Sequence, residues 1–325
     1  MQRIRVVPLA AESLGVRSMC TYVETPSLRI LLDAGVSLAP NRFGLPPHPR
    51  EFHAIAEART RIADYAAKAD VVTISHYHFD HHTPSYVDWL CHWTDAATAQ
   101  QIYAGKRVLA KEYRAHVNAS QRRRGWVFAQ TGGKHAKKLA SADGKAFAFG
   151  ETEVTFSRPV FHGPAGTSLG WLIMTTLTHA DETMVFASDV QGPMDVTALQ
   201  MIMAEQPQLL VVSGPPLYLA DYRVDARQLK TGFENLATLA RAIPTVILEH
   251  HLLRDLTWRE AATPVFRAAQ EAGNRVVSAA EFLGEDDRLL EAQRRQLFSD
   301  TPPSKAFEQW SKLPELAQRS TKPPV

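Results

Sequence analysis

Directly after the apolar run Val71-Val72-Thr73-Ile74, the chain places His76, His78, Asp80, His81 and His82 within seven consecutive positions. Each imidazole or carboxylate, if buried, needs its own polar partner, so a cluster of five is costly as a packing device. Neutral imidazole and carboxylate together suit zinc, iron or manganese. The plainer alternative is a solvated His-rich loop. With 13 His in 325 residues, an accidental HxHxDH arises only about once in a thousand such chains, so the metal reading is the stronger.

The flanks give the cluster a mechanical setting. Val71 to Ile74 reads as a short buried strand, and Thr83-Pro84-Ser85 reads as a helix start, which predicts a strand-to-helix turn. In such a turn His76 and His78 can converge on one ion while Asp80 and His81 point at a neighbouring one. Two ions need further ligands, and three more segments supply them. His162 follows the run Val154 to Phe161, Asp189 closes Met184 to Ser188, and His250 and His251 end Thr245 to Glu249. Taken singly, each reads as a structural His or a turn-forming Asp. Their shared place just past an apolar strand is what joins them.

On these residues the chain resembles the metallo-β-lactamase fold superfamily. Its signals come in order: Asp33 in Leu31-Leu32-Asp33-Ala34-Gly35, the HxHxDH run from His76 to His81, His162, Asp189, and a final His at 250 or 251. The segments around Asp189, Ser213 to Tyr218 and Glu249 to Asp255 are further similar to a little-characterised group of predicted metal-dependent hydrolases common in archaea. The resemblance implies an α/β (α+β) chain folded as a four-layer αββα sandwich. It implies two divalent ions, zinc first, with manganese or iron as alternatives. His76, His78 and His162 would hold one ion, Asp80, His81 and the last His the other, and Asp189 would bridge. Asp33 would orient the His loop, its plainer reading being a turn before Gly35. The apolar run, one residue, then His is shared by Ile74-Ser75-His76 and the Leu248-Glu249-His250 segment, which favours His250. His251 is then a neighbouring or substrate contact.

The rest of the chain fits one domain over residues 1–300. A 45% hydrophobic content can bury a large core. Strands are expected at Ile4–Leu9, Met19–Val23, Leu28–Leu32 and Val71–Ile74. A second set is expected near Val154–Val160, Leu169–Leu177, Thr183–Ser188, Leu209–Ser213 and Val246–Leu248. Helices are expected near Glu51–Ala69, Val196–Glu205, Asp225–Ala242 and Thr257–Ala272. Strands followed by helices in both halves fit two sheets face to face with helices outside. Residues 301–325 read as a surface tail. Cys20 and Cys91 form no zinc or redox spacing, and Glu12 and Arg17 interrupt any long apolar stretch near the start. A cytoplasmic protein without membrane association is expected.

Charge is unevenly distributed. From Lys106 to Lys145 eleven Lys or Arg face only Glu112 and Asp143, a local +9 in a chain of net +2. This segment reads as a basic insertion at about 95–150. Arg122-Arg123-Arg124-Gly125-Trp126-Val127-Phe128 sets aromatics beside cations, as RNA, DNA or another phosphate-rich ligand favours. The plainer alternative is a solvated basic face or a subunit contact. The expected reaction is hydrolysis by a water shared between two cations, with Asp80 orienting it or taking its proton. His82, His251 and Tyr218 are candidate proton donors to the leaving group. A phosphodiester is the first substrate expectation, and a carboxylic ester, thioester, lactone or β-lactam the second. A di-iron redox protein or a non-catalytic metal-binding protein comes after these, and His78 argues against the di-iron case.

Overall fold

The computed structural model describes residues 1–220 and 224–325. The first half builds one six-stranded sheet in chain order: β1 (Arg5–Pro8), β2 (Thr21–Thr25), β3 (Leu28–Leu32), β4 (Val71–Ile74), β5 (Arg107–Ala110) and β6 (Lys138–Ser141). The pairs β1–β2 and β2–β3 are antiparallel, and β3 to β6 run parallel. The second half builds the other large sheet. Its strands are β7 (Ala146–Phe149), β8 (Thr152–Phe156), β11 (Thr175–His179), β12 (Glu182–Ala187), β13 (Leu209–Ser213), β14 (Thr245–Glu249) and β15 (Arg275–Val277), ordered β15-β14-β13-β12-β11-β8-β7. A two-stranded ribbon, β9 (Val160–Phe161) with β10 (Trp171–Leu172), lies beside it.

Strand periodicity explains the layering. Alternate side chains face opposite sides of a sheet, and here both sides are apolar. Ile30, Leu32, Val71 and Leu109 of the first sheet meet Met184, Phe186, Val211 and Ile247 of the second in a central core. Their neighbours Leu31, Val72 and Val108 face outward onto α1 (Pro49–Ala66) and α2 (Ala96–Tyr103), through Phe52, Ile55 and Ile102. On the far side Leu210, Val212, Val246 and Leu248 pack against the helices α5 (Ala226–Ala242) and α7 (Thr263–Glu271), through Leu236, Leu239 and Val265. The result is the four-layer αββα sandwich of the metallo-β-lactamase fold. Parallel strands buried on both faces read as continuous apolar runs, which is why β4 and β13 were visible in sequence.

The helices follow local chemistry. Pro49 opens α1, and the His48 backbone N–H donates to Glu51 at 2.8 Å in a capping box. After α3 (Ala119–Gln130) come α4 (Val196–Ala204) and α5 (Ala226–Ala242). The single helix expected over Thr257–Ala272 is broken into α6 (Trp258–Ala261) and α7 (Thr263–Glu271), because Pro264 cannot donate to a preceding turn. The helices α8 (Ala279–Leu283), α9 (Arg294–Asp300), α10 (Lys305–Ser311) and α11 (Glu315–Ser320) complete the chain.

Other sequence expectations differ from the structure as well. No helix begins at Thr83. Its hydroxyl donates to the Ala34 carbonyl and accepts from Arg59 at 2.6 Å, so it cannot cap, and irregular chain runs on to α2. Residues 95–150, read as a basic insertion, supply β5 and β6 to one sheet and β7 to the other. Residues 301–325, read as a surface tail, instead fold back on the first half. Phe307 and Trp310 are buried, with ring centroids 5.9 and 5.5 Å from that of Phe52. Among the described residues no helix is long and apolar enough to cross a membrane.

Candidate metal centre

The His-rich loop leaves β4 and is held from β3. Asp33 sits just past β3 with a left-handed φ of 49°. Its carboxylate accepts the Ser75 N–H at 2.7 Å, the Ser75 hydroxyl, and the Nδ1–H of His81 at 2.8 Å. That last bond fixes the ring so that Nε2 of His81 points inward as a ligand atom. Gly35 permits the approach. A Cβ there would lie 2.3 Å from the His82 nitrogen and 2.5 Å from the His81 backbone, so no other residue fits without moving the loop.

Asp189, just past β12, lies between two groups of imidazoles. Its Oδ2 is 3.2 Å from His76 Nε2, 3.2 Å from His81 Nε2 and 2.8 Å from His162 Nε2. Its Oδ1 is 3.0 Å from His250 Nε2 and 3.5 Å from His251 Nε2. The ligand atoms of His76, His78, His162 and Asp189 lie within 4.8 Å of one another, and so do those of Asp80, His81 and His250. The structure therefore brings all eight residues named from the sequence to one edge shared by both sheets.

Between the two final histidines, geometry separates the parts. His250, with φ 68°, turns its Nε2 to within 3.6 Å of Asp80 and 3.4 Å of His81 Nε2, while its Nδ1 meets Glu12 Oε2 at 2.9 Å. His251 reaches Asp189 too, but its Nδ1 lies 3.4 Å from the Tyr218 hydroxyl.

Burial holds the His76 imidazole down to about 3 and puts those of His78 and His251 well below the usual range, whereas, against the same burial, Asp189 raises His81 well above it and His250 to about 9. Burial opposes charge on Asp80 and Asp189 as well, yet the surrounding histidines, with Arg254 beside Asp80, keep both well below the ordinary carboxylate value. Three buried polar atoms at this spot, His76 Nε2, Asp189 Oδ1 and His251 Nε2, have no hydrogen-bond partner. Such orphans are rare in a folded protein unless something else satisfies them. A carboxylate with both oxygens turned to imidazoles, amid inward orphan nitrogens, fits a metal-binding cluster.

A cleft of about 600 Å³ opens onto the centre, lined among others by His78, Asp80, Arg124, Tyr218, His251 and Arg254. His82, one of the candidate proton donors, is absent from its lining. It is buried, and its Nδ1–H donates to the His78 carbonyl at 2.9 Å. Tyr218 does line the cleft and accepts from Arg254 at 3.1 Å. Glu12, Arg254 and Arg124 went unread as site residues in the sequence. The one available signal for Glu12 was an acidic side chain inside the apolar stretch Leu9 to Leu14, which demands a buried partner.

No family profile matches the chain. It is 45% identical over 294 residues to a UPF0282 protein of Methanopyrus kandleri, covering 90% of this chain and 99% of that one. It is 44% identical over 296 residues to a UPF0282 protein of Pyrobaculum islandicum, with 91% and 94% covered. Among solved structures, the metallo-beta-lactamase fold protein YhfI from Bacillus subtilis aligns with a TM-score of 0.46 at 13% identity, over 85% of this chain and 95% of that one.

Proposed function

As the chain belongs to the UPF0282 family and folds as a metallo-β-lactamase sandwich around a His/Asp cluster able to hold metal, we propose that it is a hydrolase working with two divalent cations on a phosphodiester. The observation that carries the metal half is Asp189, one oxygen facing His76, His81 and His162 and the other facing His250 and His251. His76, His78, His162 and Asp189 would hold one ion, and Asp80, His81, His250 and Asp189 the other. When bound, zinc-type cations supply Lewis acidity and bring a shared water towards ionisation near neutral pH.

The chain's own groups then have definite tasks. Asp80, partly exposed to the cleft and kept ionised, orients the attacking water and accepts its proton. The phosphodiester preference is supported by Arg124. Arg17, Arg254 and Arg319 around the cleft each pair with a carboxylate, Glu291, Glu12 and Asp88 respectively. Arg124 pairs with none among the described residues. Its guanidinium lies 4.6 Å over the Phe79 ring and within 3.4 Å of the Tyr77 carbonyl. It is a cation without a carboxylate partner beside the centre and suits phosphoryl oxygens. Tyr218, hydrogen-bonded to Arg254 and near His251, would protonate a leaving oxygen.

The test is a turnover panel on zinc- or manganese-loaded protein: bis(4-nitrophenyl) phosphate and labelled RNA against 4-nitrophenyl acetate and nitrocefin. Phosphodiester cleavage lost in His78→Ala is the expected result. Cleavage that survives the substitution comes from a contaminant, and faster turnover of the carbonyl substrates overturns the phosphodiester reading.

A further inference from the structure

Beside the metal cleft, a second cavity of about 430 Å³ opens between the His-rich loop and α3. Four of its eleven lining residues carry aromatic rings, Phe79, His82, Tyr86 and Phe128, and the rest include Ser120, Val127 and the cations Arg123 and Arg124. Phe79, Tyr86 and Arg124 line both cavities, so the two adjoin. The rings form a connected set. Phe79 stands 5.8 Å from Tyr86 and 5.3 Å from His82, and His82 stands 5.8 Å from Phe128.

The basic helix is fastened to this place. Gly125 lies so close to the loop that a Cβ would come within 2.7 Å of the Tyr77 ring and 2.3 Å of the Tyr113 Cβ. Arg124 is thereby held at the junction of the two cavities. Of the eleven cations in the basic segment, Lys111 is buried against Asp143 at 2.6 Å, and Arg107 lies over the Phe147 ring at 4.7 Å. Arg124 instead lines the metal cleft.

We infer that this cavity is the subsite for a flat aromatic group of the substrate, an aryl ring or a nucleobase, whose phosphoryl group lies at the cations with Arg124 between. The inference rests on the phosphodiester reading above and adds the substrate's second half. Ring walls favour a planar occupant, since stacked or edge-on aromatic pairs gain about 0.5–1.5 kcal/mol beyond area burial and a base on an aromatic platform about 1–3 kcal/mol. The volume is in the range of small-molecule sites, roughly 300–1,000 Å³. Arg124 over Phe79 provides a cation at the edge of the ring-lined space, where an anionic phosphate next to an aromatic group would need it.

Two non-hydrolysable probes test this by calorimetry on zinc-loaded protein. Methylphosphonate reports the metal cleft alone, and phenylphosphonate reports cleft and cavity together. Phenylphosphonate is expected to bind about tenfold tighter. Val127→Trp, which fills the cavity from α3, should reduce that advantage to about twofold or less while methylphosphonate still binds. Ser120→Trp, at an exposed position on the same wall, is the second variant should the first fail to fold. Equal affinities in the wild type, or an advantage that survives either filled cavity, would overturn the subsite. Methylphosphonate binding that needs no zinc and survives His78→Ala would instead overturn the metal reading, which keeps the two failures apart.

Discussion

The Nδ1 of His250 lies 2.9 Å from the Oε2 of Glu12, a residue 238 positions earlier in the chain. The same carboxylate accepts from Arg254 at 2.8 Å, and Arg254 reaches to within 3.6 Å of Asp80. A single buried acid thus orients one ligand of the candidate centre and anchors the cation that faces another.

Replacing Glu12 should therefore act on metal binding and on stability together. In Glu12→Ala, His250 loses the bond that fixes its ring, and the second zinc should bind roughly 10–100-fold more weakly. Arg254 is left buried without its main partner, which costs about 3–5 kcal/mol. Zinc titration and urea unfolding of the same variant read the two effects. Unchanged affinity for both ions would remove Glu12 from the site.

At Gly125 two effects of opposite sign compete. Alanine is the better helix former by about 1 kcal/mol. Its Cβ, however, would overlap Tyr113 and the Tyr77 ring, and overpacking of this kind costs about 1–3 kcal/mol. Because the overlapped atoms include a Cβ fixed to backbone, the cost should win, and Gly125→Ala should be destabilised by about 1–2 kcal/mol in urea. A stabilised variant would mean that α3 is not pressed onto the loop.

Cations should raise thermal stability. One site with free cation at about a hundred times its Kd contributes about 2.7 kcal/mol, or roughly 5 °C for a chain of this size. Scanning calorimetry with zinc and then with a chelator should show this shift, reduced in His78→Ala. A melting temperature indifferent to zinc would speak against the site.

The Arg17–Glu291 pair predicts an acid limb of stability. Burial opposes charge on Glu291, but Arg17, donating twice at 2.6 Å, with Arg254 and Arg294 nearby, holds its carboxyl down to about 2 against an ordinary 4.5. A folded value below the unfolded one stabilises fully above about pH 4.5 and is lost as pH falls through about 2. The difference corresponds to about 3 kcal/mol at pH 7. Glu291→Gln should be less stable by about that amount at pH 7. The gap to wild type should shrink to about half by pH 3 in denaturant midpoints, and a gap independent of pH would count against the pair.

The candidate ligands were legible because His76, Asp189 and His250 each lie within two residues of the end of a buried strand, where an apolar run stops at a His or Asp, while His162 follows the short β9 ribbon. The sandwich was legible for the same reason. Strands β5 and β6 were not, because Lys106, Arg107, Lys137 and Lys138 flank runs of only a few apolar residues. Glu12 was hidden by distance, since nothing local announces a partner at 250 and 254. The choice between His250 and His251 needed a backbone angle, the left-handed φ at 250. Phe307 and Trp310 share a face only once α10 forms, and one turn of helix gives too short a pattern to read.

The turn at Gly144 joins the last strand of the first sheet to the first strand of the second. Severing the backbone there would leave one fragment with Asp33, His76, His78, Asp80 and His81, and another with His162, Asp189, His250 and His251. The groups His76-His78-His162-Asp189 and Asp80-His81-His250 would each be divided between the pieces, so zinc should favour the reunited pair over the separate fragments.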